Sequence, residues 1–116
     1  MHAGIGAAAL AVEKANADPT LLPGRVLEYS FADSGCSSQQ ALKAMGELLN
    51  EEKSSCSSEL SIAAVIGPGC SSACEVTSFL AGGQGVPQIS WGCTASSLSD
   101  KKNHRLVRPC YLACPL

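Results

Sequence analysis

The sequence predicts an α/β protein, a three-layer sandwich built on a mostly parallel sheet. Three observations predict it. Segments with helical and strand-like patterns alternate along the 116 residues. The run Ser61-Ile62-Ala63-Ala64-Val65-Ile66 is short and apolar, the kind of strand that is buried on both faces of a parallel sheet. Two stretches rich in Gly, Ser and Thr, Gly67 to Ser72 and Trp91 to Ser99, follow strand ends, where open α/β sheets bind ligands.

The elements follow in order. Residues 3 to 17 read as a helix, because alanine dominates and Ile5, Ala8, Ala9 and Val12 can share a face. Asp18-Pro19 ends it, and Leu21-Leu22-Pro23-Gly24 is a loop. Arg25 to Phe31 carries the strand formers Val26, Leu27, Tyr29 and Phe31 and is expected to be a strand. Ala32 to Ser38 is a turn. Gln39 to Glu52 is a second helix, with Ala41, Leu42, Met45, Leu48 and Leu49 at spacings of three and four. Lys53 to Glu59 reads as a serine-rich loop, and Ser61 to Ile66 as the apolar strand. A third helix runs from about Ser72 to Ala81 and stops at Gly82-Gly83-Gln84-Gly85. Val86 to Ser90 is a further strand, Trp91 to Ser99 a polar loop, and Arg105 to Arg108 a last short strand. Right-handed crossovers then place helices on both faces of the sheet.

Composition excludes several functions. The net charge of −2 and an aromatic content of 4% give no basis for a nucleic-acid partner. The apolar runs fall short of the roughly 20 residues that span a membrane. No basic segment followed by an apolar core and a cleavage site stands at Met1, which by itself reads as a soluble chain that is not exported. Seven cysteines is a high count: Cys36, Cys56, Cys70, Cys74, Cys93, Cys110 and Cys114. Their spacings are not those of a zinc site, and only His2 and His104 could assist, so no metal site is expected. The pattern asks for no cofactor, and no catalytic Cys/His pair stands out.

The stretch Gly67-Pro68-Gly69-Cys70-Ser71-Ser72-Ala73-Cys74-Glu75 is the richest in chemistry. A buried strand, a tight turn and serines at a helix start form a common anion-holding arrangement. The first N–H groups of a helix lack internal partners and carry the positive end of its dipole. Ser72 and Glu75 have the spacing of a capping box, which places the helix start there. The same serines would also serve simply as helix caps.

Several motifs then occur in a specific order. Ala64 to Ser72 is followed by Val86-Pro87-Gln88-Ile89-Ser90-Trp91-Gly92-Cys93-Thr94 and by Leu98-Ser99-Asp100-Lys101; upstream lie Leu22-Pro23-Gly24 and Leu27 to Cys36. This set resembles the type I periplasmic-binding-protein superfamily, in particular the "Venus flytrap" ligand-binding regions of receptors. Those of metabotropic glutamate receptors, GABA type B receptors and receptor guanylate cyclases are the most similar. The resemblance covers about residues 5 to 108, as part of a first lobe, and residues 109–116 form a divergent tail.

The resemblance implies a non-catalytic module on the extracellular side of a membrane receptor. It implies an amino-acid-like ligand held by its carboxylate and amine. By motif, Ser71 matches the carboxylate-binding serine, with Ser72 beside it; Thr94 and Gly92 match contacts from the second loop. Trp91 stands where a tyrosine is common and would be a stacking wall or packing between lobes. The resemblance also implies a Cys36–Cys70 disulfide in an oxidising compartment, and allows a receptor dimer through the first lobe. Cys74 and Cys93 are expected to be small buried residues.

Two departures accompany it. The family lobe opens with a strand before its first helix, and Met1 falls where that helix begins. After Arg108 the sequence leaves the family pattern, so a second lobe, a membrane helix and an output domain are expected elsewhere. The alternatives are a solute-binding component of an amino-acid transporter and a fragment that binds nothing.

Overall fold

The computed structural model of the chain describes residues 3–54, 62–104 and 107–109. It divides into two units, Met1–Phe31 and Ala32–Leu116. The expectations for Arg105, Leu106, most of the Lys53–Glu59 loop, His2, Cys56, Cys110 and Cys114 lie outside the described residues.

The first unit holds helix α1, Ala3–Ala17, where the alanine run predicts it. Past its end, Asp18 Oδ1 accepts from the Thr20 amide at 2.8 Å and the Thr20 hydroxyl at 2.6 Å, an Asx turn that leads the chain away. The two Thr20 bonds, side chain first, hold the Asp18 carboxyl below its ordinary value. Arg25 to Phe31 is not a strand, contrary to the sequence expectation. A strand exists by pairing. Among the described residues the one ladder-like pair comes from a side chain: Asn16 Nδ2 donates to the Leu27 carbonyl at 2.9 Å, and Asn16 Oδ1 accepts from the Leu27 amide at 2.8 Å. Val26, Tyr29 and Phe31 are left exposed.

The second unit is α/β. Helix α2, Ser38–Ser54, is followed by strand β1, Val65–Ile66, helix α3, Ser71–Gly83, and strand β2, Gln88–Ser90. A 3-10 turn, Ser96–Ser99, and strand β3, Val107–Pro109, complete it. The sheet order is β1-β2-β3 with both pairings parallel. Val65 pairs with Gln88 and Ile66 with Ile89; Ile89 in turn pairs with Arg108. Strands β1 and β2 are shorter than the sequence suggests, because ladder bonds form only where a neighbour is in register.

Helix α2 packs on α3. Met45, Ala81 and Val86 form one buried cluster, with Leu49, Ile62, Val65 and Leu80 against it. Ala41 and Ala44 are also buried on this side, whereas Leu42 is exposed. The stop of α3 is a Schellman motif. The Val86 amide donates to the Ala81 carbonyl at 2.8 Å and the Gly85 amide to Gly82 at 3.2 Å. Gly85 takes φ +72, which only glycine adopts without strain, and Val86 then packs on Ala81. A second buried cluster, Cys74, Cys93 and Leu98 with Ala95 against it, lies under the loop after β2. No helix among the described residues is long and apolar enough to cross a membrane.

Candidate functional site

The two loops at the strand ends converge, as the sequence pattern predicts, and four kinds of contact join them. Each can be traced to named residues.

Gly67, φ +101, continues the sheet by donating its amide to the Ile89 carbonyl at 2.7 Å. The indole of Trp91 lies over the turn. A Cβ on Gly67 would stand 3.1 Å from its ring, and one on Gly69 3.3 Å away, so both glycines make room for the tryptophan. Trp91 itself stays about half exposed, at 48%. Gly92 is packed more tightly still. A Cβ there would be 2.5 Å from the Gly69 carbonyl oxygen, which is backbone and cannot swing aside. What Gly92 contributes is its lack of a side chain.

Ser90 is the buried hub. Its hydroxyl donates to the Pro68 carbonyl at 2.7 Å and accepts from the amides of Gly92 and Cys93 at 3.3 and 3.2 Å. One side chain at the end of β2 thus fixes both turns. The sequence reading treats Ser90 only as a strand residue. A buried serine at a strand's carboxyl end, between two Gly-containing turns, is the signal that could have marked it.

Two disulfides fasten the first turn of α3. Cys36–Cys70, implied by the family resemblance, is present with a Cα separation of 5.4 Å. Cys74 and Cys93 are buried as expected, but they are bonded to each other, with a Cα separation of 6.4 Å, and are not free thiols. Cys74 stands on α3 four residues after the N-cap Cys70, so it faces the loop after β2 and meets Cys93 there. The two sulfurs lie 3.3 and 3.1 Å from the Pro68 oxygen; carrying no hydrogen, they donate nothing to it.

The capping-box reading of Ser72 and Glu75 does not hold. Helix α3 begins at Ser71 with Cys70 as N-cap, and no side chain caps it. The Ser72 hydroxyl instead donates to the Cys36 carbonyl at 3.2 Å, beside the Cys36–Cys70 disulfide, and Ser38 Oγ donates to the Ser72 carbonyl at 3.0 Å. The Glu75 carboxylate accepts from the Ser97 hydroxyl. Tertiary partners have taken the groups that a local motif would use.

Ser71 reaches across to the second loop. Its Oγ accepts from the amides of Thr94 and Ala95, each at 3.1 Å. Its own proton has no acceptor among the described residues, and neither does the Thr94 hydroxyl. The amides of Ala73 and Cys74 bond to the Cys70 carbonyl, at 3.1 and 2.9 Å. Those of Ser71 and Ser72 have no partner among the described residues. The arrangement therefore presents two N–H groups and two hydroxyls at the positive end of a helix, which suits a carboxylate or another small anion.

Further along α3, the Ser78 hydroxyl lies 2.7 Å from the Glu75 carbonyl and 2.5 Å from His104 Nδ1. A carbonyl only accepts, so the single hydroxyl proton goes to Glu75 and Nδ1 donates to Ser78. His104 is buried, with its ring 4.8 Å from that of Phe79. Among the described residues no cluster of His, Cys, Asp and Glu could hold a metal ion.

A family model for the receptor family ligand binding region matches residues 5–111. The chain belongs to that family. Mouse (Mus musculus) guanylate cyclase D is 33% identical over 86 residues, covering 74% of this chain and 7% of that protein. Bovine (Bos taurus) retinal guanylyl cyclase 2 is 32% identical over 98 residues, 84% of this chain and 8% of that protein. The chain thus spans less than a tenth of the length of these relatives. The matched region is a receptor's ligand-binding region and not a catalytic one, and the α/β architecture agrees with part of a periplasmic-binding-protein-like fold.

Proposed function

We propose that this chain is part of the first lobe of the extracellular ligand-binding region of a membrane receptor. Receptors of the guanylate-cyclase type are favoured over a transporter's solute-binding component, because both relatives are named as guanylate cyclases. Recognition, on this reading, is of a small amino-acid-like ligand through its carboxylate. The hydroxyls of Ser71 and Thr94 and the amides of Ser71 and Ser72 supply the donors, with Trp91 as a wall and Gly92 as the spacer that lets the loops meet.

The observation that carries the reading is the Ser71 hydroxyl. It accepts from Thr94 and Ala95 and so orients the second loop, while its proton stays available to a ligand. Half of a closing site is present in such a lobe, and the second lobe would complete the enclosure.

The test is calorimetry of glycine and L-glutamate against the receptor's complete ligand-binding region. Thr94→Ala is the clean variant, since the Thr94 hydroxyl supports nothing else among the described residues. Loss of one hydrogen bond to a charged group predicts about tenfold weaker binding. Unchanged affinity in Thr94→Ala would remove that residue from the site. Ser71→Ala is less clean, because it also strips an acceptor from two amides.

A further inference from the structure

Three polar residues of α3, Ser71, Glu75 and Ser78, follow at spacings of four and three. They therefore fall within about 60° of one another around the helix axis. Their partners run in the same order along the following loop. Ser71 takes the amides of Thr94 and Ala95, Glu75 takes the Ser97 hydroxyl, and Ser78 takes His104. One stripe of the helix thus reads the loop from Thr94 to His104, eleven residues from end to end. Beside the stripe, Cys74 holds Cys93, and Leu98 is fully buried on that disulfide.

From this we propose that Glu75 is a positioning residue for the ligand wall: through Ser97 it holds the 94–104 loop against α3, so that Thr94 stands over the helix start. The proposal deepens the ligand-site reading above and rests on it for the word ligand, but not for the contact itself. Ser71 fixes only the first two amides of the loop, and Ser78 only the last residue. Between them the 3-10 turn Ser96–Ser99 is held by Leu98 from below and by Glu75 from the side. Burial of Leu98 is non-directional, so it holds the turn down without setting its rotation. A hydrogen bond to Ser97, the neighbour of Leu98, sets that rotation. Glu75 suits the task because an ionised carboxylate is a stronger acceptor than a neutral group.

The experiment is amide hydrogen exchange on the full chain, resolved at single residues, for the wild type, Glu75→Ala and Glu75→Gln. Glutamine keeps an acceptor oxygen at the same reach, so it separates positioning from the loss of any side chain. Removal of one hydrogen bond to a charged group predicts about tenfold faster exchange at Thr94, Ala95 and Asp100 in Glu75→Ala. In Glu75→Gln most of the protection returns. The Val86 amide, bonded to Ala81 in the other core cluster, stays as slow as in the wild type in both variants. Equal exchange at Thr94 and Ala95 in the wild type and Glu75→Ala would overturn the proposal, and so would a rise at Val86 as large as that at Thr94. Calorimetry with glycine and L-glutamate on the same variants, in the complete ligand-binding region, is read separately. Absence of binding in every variant, with the exchange pattern as expected, would sink the amino-acid reading and leave Glu75 as the residue that positions the loop.

Discussion

The α-carbon of Gly92 rests on the carbonyl oxygen of Gly69, and this contact sets how closely the two strand-end loops approach. A Cβ on Gly92 would stand 2.5 Å from that oxygen. Neither partner is a flexible side chain, so relief requires a backbone shift. Ser90 opposes such a shift, since it binds Pro68 on one side and Gly92 and Cys93 on the other. Gly92→Ala is therefore expected to destabilise the fold by about 1–3 kcal/mol, in the range of overpacked interiors. Thermal unfolding checks it; an unchanged midpoint would mean that the loops can part without cost. Gly69→Ala should be milder, because its Cβ would meet the Trp91 ring at 3.3 Å, and a half-exposed side chain can give way.

The two disulfides should differ in access more than in strength. Cys36–Cys70 spans 34 residues and Cys74–Cys93 spans 19. Loop-closure entropy then assigns them about 4 and about 3 kcal/mol, a small difference. Access differs far more. Cys36 is exposed, whereas Cys74 and Cys93 are 0% and 1% exposed under Leu98 and Ala95. A thiolate must reach sulfur to exchange. Graded reduction followed by alkylation and mass spectrometry is expected to label Cys36 and Cys70 first. Cys74 and Cys93 should be labelled only under conditions that also unfold the second unit. Simultaneous labelling of both pairs below the unfolding midpoint would contradict the burial argument.

These contacts also show which parts of the molecule can be read from sequence. The end of α3 is legible because its signal is local: a Gly-rich stop gives a left-handed C′ residue and a Schellman motif. Convergence of the Gly67–Ser72 and Trp91–Ser99 loops is legible because parallel strands place their carboxyl ends together. Arg25 to Phe31 is not legible, because strand propensity says nothing of whether a partner exists, and among the described residues Asn16 alone supplies a ladder-like pair. Glu75 is misread for a related reason. S-x-x-E is a local motif, and a loop serine 22 residues away competes for the same carboxylate. The pairing of Cys74 with Cys93 depends on which face of α3 meets the second loop, and spacing alone does not give that face.

Gln88 sets a buried polar atom against an apolar core, and the competing magnitudes can be weighed. The side chain is fully buried in the middle strand and faces α3. Its Nε2 donates to Thr77 Oγ1 at 3.0 Å, while the Thr77 hydroxyl donates to the Ala73 carbonyl at 2.9 Å. Its Oε1 has no partner among the described residues. Replacement by methionine, of similar length and volume, removes the Thr77 bond, a loss of about 1 kcal/mol. Thr77 keeps its own donation to Ala73, so no new orphan donor is created. The substitution also removes an unsatisfied oxygen, whose burial costs about 1–3 kcal/mol. Gln88→Met should therefore leave stability unchanged or raise it, by up to about 2 kcal/mol on these two terms. Denaturant titration is the measurement. A fall in stability beyond about 1 kcal/mol, the value of the Thr77 bond, would show that Oε1 is satisfied in solution by a water held between β2 and α3.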